Sequence, residues 1–309
     1  MNTRASDSSR RPDPISIWLL AIRIPTLTAS VAPVAVGTAV ALSDGRFEAL
    51  PAVAALLGAL AIQAGANLAN DLSDFRRGAD TEHRLGPLRV TQQGMLTERA
   101  VTMGVTVAFA IATLAGLYLT WVAGWPVVAI GVASMLAALA YTGGPWPFGY
   151  RALGELFTFL FFGVIAVVGT YYVQAHEVSR GVLAASLPVG MTVTAILVVN
   201  NVRDIETDRT AGKRTLAVVL GRRGGRVLFV ALLVAAYLAA AAMWLFGDYP
   251  AWTLLPFLSA PLAVQPAEAV LSKVDGPSLN RALRATARLH LVFALLFSFG
   301  LTIGLVTAG

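Results

Sequence analysis

The chain of 309 residues contains no cysteine and only three histidines. The first absence excludes a disulfide framework, thiolate-bound zinc or iron–sulfur centres and a cysteine nucleophile. The histidines add no metal site, because His83 and His176 lack ligand spacing and His290 stands alone in the last apolar run. Charge is scarce as well: Asp, Glu, Lys and Arg make up 13% of the residues, against roughly 25% in an ordinary soluble domain. Hydrophobic residues make up 57%. That balance excludes a water-soluble globule and predicts an all-α integral membrane protein.

What the chain does have is a succession of apolar runs. Nine are predicted to span a bilayer, near 15–42, 48–69, 101–122, 125–142, 153–174, 182–201, 227–246, 250–270 and 287–308. Most reach the roughly 20 residues needed to cross ~30 Å of hydrocarbon, with the fourth and eighth marginal. Pro25 and Pro33 should bend the first. Residues 1–14 are polar and are expected to form a tail; the run that follows is too long for a cleaved leader, so 15–309 is expected to be one transmembrane domain.

Orientation follows from the basic residues. Of the 23 Lys and Arg, all but Arg46, Arg180 and the intramembrane Arg23 fall on the side of the N-terminus. The positive-inside rule then puts that side in the cytoplasm. The formal charge of +6 is accounted for by this topology and by anionic lipid. No basic patch interleaved with aromatics points to nucleic acid.

Two polar stretches look like copies of one device. Asn67-Leu-Ala-Asn70-Asp71-Leu-Ser-Asp74 closes the second run, with Asp80 beyond it, and Asn200-Asn-Val-Arg203-Asp204-Ile-Glu-Thr-Asp208 closes the sixth. If each run continues as a helix, Asn70 and Asp74 share a face, and Asn200, Asp204 and Asp208 form a ladder. Acids stacked in this way repel one another and call for a cation, and oxygen-only ligands point to Mg²⁺. An even number of crossings separates the copies, so they are parallel and face one cavity from the inner side. Cations surround them: Arg84 follows the first, and Arg203, Arg209 and Lys213 surround the second.

These features resemble the UbiA superfamily of membrane prenyltransferases over nearly the whole chain. The segments that carry the likeness are Trp18 to Leu27, Asn67 to Pro87, Tyr141 to Pro145, Gly154-Glu155, Asn201 to Asp208 and Gly212 to Leu216. The family's first motif often spaces its aspartates four apart, whereas here Gly78 stands four after Asp74 and the next acid is Asp80. That longer spacing is similar to the naphthoate branch of menaquinone synthesis. The resemblance implies transfer of a polyprenyl chain from its diphosphate to 1,4-dihydroxy-2-naphthoate in the cell membrane, with loss of CO₂ and no protein partner.

By the same resemblance, two Mg²⁺ ions are held by Asn70, Asp74, Asn200, Asp204 and Asp208 with help from Asp71 and Asp80. Lys213, Arg209, Arg203 and Arg84 then hold the diphosphate, Asn67 and Arg23 contact substrate, Glu155 orients the acceptor and Tyr141 stabilises an allylic cation. One rival within the class is a prenyltransferase for another phenolic acceptor such as 4-hydroxybenzoate. Another, from a different class, is a secondary transporter, whose ion sites lie nearer the bilayer midplane.

The orientation is open to a direct check. In this cysteine-free chain, Thr210→Cys should be shielded from an impermeant thiol reagent outside intact cells, while Ser179→Cys should be labelled. The reverse pattern would invert the topology.

Overall fold

The computed structural model describes residues 13–78, 85–86, 89–247 and 249–307, the last four by backbone alone. The expectations placed on Asp80, Arg84 and most of the N-terminal tail lie outside the described residues. The chain folds as helices α1 (Pro14–Ile22), α2 (Thr28–Ser43), α3 (Ala49–Arg76), α4 (Glu98–Ala123), α5 (Pro126–Ala140) and α6 (Gly154–Thr158). It continues as α7 (Ala166–Ala175), α8 (Arg180–Arg203), α9 (Ile205–Thr210), α10 (Leu216–Phe246), α11 (Ala260–Ser272) and α12 (Gly276–Thr307). Among the described residues eight helical stretches are long and apolar enough to cross a bilayer, and α5, 15 residues long, is a shorter ninth. No strand occurs among the described residues.

The first expected span is broken rather than bent. Arg23 adopts a left-handed conformation (φ 55°, ψ 66°), and a 3₁₀ turn, Ile24–Leu27, precedes α2. Pro25, which has no N–H to donate, sits in that turn, whereas Pro33 is accommodated inside α2. The break frees the carbonyl of Ile22, and Asn67 Nδ2 on α3 donates to it at 2.8 Å and to Thr26 Oγ1 at 2.9 Å. A buried amide thus satisfies backbone polarity that the break leaves without a helical partner.

The core is built around α8, about two thirds of whose central window is buried. Val182, Ala185 and Val189 of α8 pack against Val36 and Val40 of α2, Tyr171 of α7, Ala236 of α10 and Phe293 and Phe297 of α12. Between α6 and α7 runs a π-helical segment, Phe159–Ile165. The wider turn changes which side chains face inward. It also brings Gly163 against Gly190 of α8, so close that a Cβ on Gly163 would lie 2.4 Å from the Gly190 Cα.

The two ends of the bundle differ in charge. Arg76, Arg89, Arg203, Lys213 and Arg222 sit where the two Asn/Asp stretches end, their side chains paired with acids there. At the opposite end Arg46 approaches Glu177 at 3.7 Å. The motif end is therefore the basic end, as the Lys and Arg distribution predicts.

The Gly163–Gly190 contact gives a stability test. Gly163→Ala should destabilise by about 1–3 kcal/mol, since backbone must move to admit the methyl group, and should lower the melting temperature in detergent. An unchanged value would mean the two helices separate easily there.

Candidate active site

The polar end of α3 presents its side chains to two different neighbours. Residues 55, 58, 59, 62, 63, 66, 67, 70 and 74 line a cavity, a stripe at helical spacing along one face. Asp71 lies off that stripe by one residue, and its carboxylate accepts from Thr91 N at 3.1 Å and Thr91 Oγ1 at 2.7 Å. It anchors the segment that returns across the end of α3 and does not line the cavity.

Asp74 does line it, and holds three donors at once. Arg89 Nη2 lies 2.6 Å from Oδ2, while the Tyr150 hydroxyl donates at 2.8 Å and Lys213 Nζ at 3.3 Å to Oδ1. Lys213 belongs to the second copy, so this contact ties the copies together across 139 residues of sequence. Lys213 is delivered by a turn at Gly212, whose φ of +71° suits glycine, and its ammonium stands 4.7 Å from the centre of the Tyr150 ring. Asn70 Oδ1 accepts from Thr142 at 2.9 Å and also faces the cavity.

The second copy departs from the single continuous helix expected of it. α8 stops at Arg203, Asp204 takes φ −95° and ψ 10°, and α9 starts again at Ile205. The Arg203 guanidinium folds back on its neighbour's carboxylate at the break. The ladder survives because Asp204 N still bonds Asn200 O at 3.1 Å and Asp208 N bonds Asp204 O at 2.7 Å. Asn200, Asp204 and Asp208 all line the same cavity as Asn70 and Asp74.

Arg203 is wholly buried behind these acids. It grips Asp204 through two nitrogens, donates to Asn200 Oδ1 at 2.8 Å and reaches Asn280 Oδ1 on α12 at 2.7 Å. It does not line the cavity, and neither does Arg209, which is exposed and paired with Glu206 at 2.9 Å. Arg23, held at the break in the first span, lines it, as do Asn67 and Tyr141. Glu155 is one layer back: its Oε1 accepts from Asn201 Nδ2 at 2.8 Å, and Asn201 faces the cavity.

The cavity, about 470 Å³, has a polar head and an apolar body. At the junction of the two an aromatic series runs from Tyr141 edge-on to Phe148 (5.4 Å), then stacked to Phe157 (4.1 Å) and Phe161 (6.1 Å). Phe161 and Phe162 reach the cavity from the π-helical segment. Arg89, Thr91, Thr142 and Tyr150 are functional neighbours that sequence reasoning passed over. Arg89 was legible only as one of many inner-side cations, and the signal that singles it out, near-complete burial, is a property of the fold.

The donor set suits a hard divalent cation. All candidate ligands are oxygens, one or two carboxylates with an asparagine on each copy, leaving room for water and phosphate. Among the described residues no group of three or more His, Asp or Glu side chains is placed to hold a metal ion by itself. Asp208 supplies the physical demand. Desolvation, reinforced by Asp204 and Asp74, pushes its carboxyl up to about 7 against the opposing pull of Lys213 and Arg203. A carboxyl raised in this way lacks sufficient positive charge nearby, which a cation would provide.

Fold and site together define a multi-pass helical membrane protein with a polar, charged head above an apolar pocket. The chain belongs to the UbiA prenyltransferase family, whose model matches residues 30–292. It is 36% identical over 290 residues to a 1,4-dihydroxy-2-naphthoate octaprenyltransferase of Escherichia coli, covering 92% of this chain and 94% of that one. It is 38% identical over 287 residues to the protein of the same name from Mycobacterium tuberculosis, covering 93% and 97%. A UbiA homolog from Archaeoglobus fulgidus, solved bound to GPP and Mg²⁺, shares the fold with a TM-score of 0.64 at 17% identity, covering 93% of this chain and 99% of that one.

The raised Asp208 carboxyl has a defined sign. Because the folded value exceeds the ordinary 3.8, ionising this group opposes folding, and the ligand-free protein loses stability from it as pH rises from about 4 through about 7. A divalent cation that binds the ionised form should therefore raise the melting temperature more above pH 7 than below it. Asp208→Asn should flatten that dependence. Equal stabilisation by Mg²⁺ across the range would remove Asp208 from the cation's surroundings.

Proposed function

We propose that this protein transfers a polyprenyl group from polyprenyl diphosphate to 1,4-dihydroxy-2-naphthoate, releasing diphosphate and CO₂ and forming the demethylmenaquinone skeleton. The observation that carries this reading is the shared cavity: carboxylates and amides of both copies, with Lys213 between them, head a pocket whose body is apolar and aromatic. A diphosphate with a hydrocarbon tail fits that polarity from end to end. The names of the curated relatives supply the naphthoate acceptor, and the archaeal neighbour was solved with a prenyl diphosphate and Mg²⁺. We place the head at the cytoplasmic face, on the positive-inside argument. Acids gathered at the basic end, away from the midplane, also favour an enzyme over a secondary transporter.

Divalent cations, two in this proposal, held by Asn70 and Asp74 on one copy and by Asn200, Asp204 and Asp208 on the other, would supply the charge that lets diphosphate leave. Lys213 passes from Asp74 to a diphosphate oxygen as the head group enters, because a point charge follows the denser negative charge. Arg203 stays behind, fixing Asn200 and Asp204. Arg89 fixes Asp74 in the same way. When the bond from the prenyl carbon to the diphosphate oxygen breaks, the bonding pair leaves with the diphosphate. The aromatic series that begins at Tyr141 then borders the allylic cation, and the apolar wall excludes water that would quench it. The ring of the naphthoate attacks through the carbon that bears its carboxylate. Carbon dioxide departs, and its bonding pair restores the ring. Glu155 acts through Asn201, whose amide it orients towards the acceptor.

Asp74→Ala, Asp204→Ala and Asp208→Ala should each abolish turnover while leaving membrane insertion intact, measured as Mg²⁺-dependent diphosphate release by purified protein in detergent. Turnover near the starting level in any of them would exclude that acid from the reaction.

Lys213→Ala should cost about 1.5–3 kcal/mol, or roughly ten- to a hundredfold, in kcat/KM for the prenyl donor, with a much smaller change for the acceptor. Kinetics varying each substrate in turn decide the matter. Equal losses on both would mean that Lys213 only supports its loop.

A further inference from the structure

The first half of α12 carries three arginines on one face. Arg281, Arg284 and Arg288 are all exposed, and the same face continues through the exposed Leu295 and Phe299. Steps of three, four, seven and four residues keep these five side chains in line along a helix. The inward side of α12 is fixed by other residues, because Asn280 accepts from Arg203 at 2.7 Å and Phe293 and Phe297 pack into the core. The arginine stripe is therefore turned outward, with Arg284 at the rim of the cavity.

What holds these arginines differs from what holds others at the same end. Arg76, Arg89, Arg203 and Arg222 pair with acids, and Arg77 and Arg226 donate to backbone carbonyls. Arg281 donates to Ser278 Oγ at 2.9 Å, in the turn that Asp275 caps by accepting from Ser278 N at 2.8 Å. Arg284 and Arg288 make no hydrogen bond or ion pair among the described residues. Glu268, exposed on the neighbouring α11, pairs with neither. Two adjacent guanidinium groups are thus left for a partner from outside the chain.

Depth identifies that partner. Beyond Arg288, α12 has no charged residue as far as its end at Thr307, a rise of about 28 Å at 1.5 Å per residue. That is close to the ~30 Å of hydrocarbon a span must cross. With this segment in the hydrocarbon, Arg288 lies at its edge on the head side and Arg284 about 6 Å further out. The headgroup layer is roughly 5–7 Å thick on each side, so the two arginines bracket the level of lipid phosphates. One turn apart on the helix, their planar forks can close on a single phosphate. Leu295 and Phe299 present apolar surface along the same line, where an acyl chain would run. We propose that this face of α12 binds an anionic phospholipid of the leaflet on the head side, its phosphate held by Arg284 and Arg288 and its chain laid against Leu295 and Phe299. A zwitterionic lipid fits less well, because its ammonium would meet the third guanidinium, Arg281, without an acid to receive it. This inference does not depend on the function proposed above.

Native mass spectrometry of the full chain, released from neutral detergent with added dioleoyl phosphatidylglycerol or dioleoyl phosphatidylcholine, measures this. The unaltered protein should bind phosphatidylglycerol about tenfold or more tightly than phosphatidylcholine, as two charge-assisted contacts imply. Replacing both arginines, Arg284→Gln with Arg288→Gln, should remove most of that preference. Arg99→Gln with Arg223→Gln takes the same charge from exposed positions on α4 and α10 and should preserve it. Arg284→Lys with Arg288→Lys keeps the charge without the planar fork, and should fall between the unaltered protein and the first glutamine pair. No preference for phosphatidylglycerol in the unaltered protein, or equal losses in the two glutamine pairs, would overturn the proposal. So would an Arg284 and Arg288 glutamine pair that keeps phosphatidylglycerol but loses binding of a prenyl diphosphate, since the two arginines would then serve the diphosphate and not a membrane lipid.

Discussion

The charge balance around Asp74 is the constraint on which the rest of the site depends. A carboxylate that is almost wholly buried in a membrane protein must be paired or protonated, and here Arg89, Tyr150 and Lys213 share it. Each partner comes from a different part of the chain, so satisfying one side chain draws three segments over the end of α3. Arg203 does the corresponding work on the second copy, joining Asn200 and Asp204 to Asn280 on α12. Arg203 thus lies behind the cavity, while Lys213 lines it beside Asp74.

That separation explains why the chain breaks where it does. Continuous helices would carry their polar ends past the cavity. The left-handed residue at Arg23, the interruption at Asp204 and the left-handed turn at Gly212 each redirect a side chain to the head. The exposed backbone is met by side chains, Asn67 at the first break being the clearest case. The π-helical turn serves the body of the cavity in the same way, bringing Phe161 and Phe162 to the aromatic wall while Gly163 keeps the segment against α8.

Much of this was legible in the sequence, because the relevant signals are local. Apolar runs of membrane-spanning length, the asymmetry of Lys and Arg, and Asn/Asp residues at helical spacing depend on residues within a turn or two of each other. The stripe through Asn67, Asn70 and Asp74 was therefore recoverable, and strict attention to the same spacing would have put Asp71 on another face. Contacts made by a returning segment were not. Arg89 and Tyr150 lie 15 and 76 residues from Asp74 in sequence, in stretches without periodicity. Arg203 read as a phosphate clamp by its position among acids, and only three-dimensional packing shows that its guanidinium is fully occupied behind them.

In the function proposed above, the acids of both copies form one site whose cations are completed by the diphosphate. Calorimetric binding of a non-hydrolysable prenyl thiolodiphosphate, with and without Mg²⁺, tests this most directly. Each ligand should strengthen binding of the other by the same factor, since linkage is reciprocal, and Asp74→Asn or Asp208→Asn alone should remove the coupling. Equally tight binding of the diphosphate analogue without a divalent cation would rule out such a shared site.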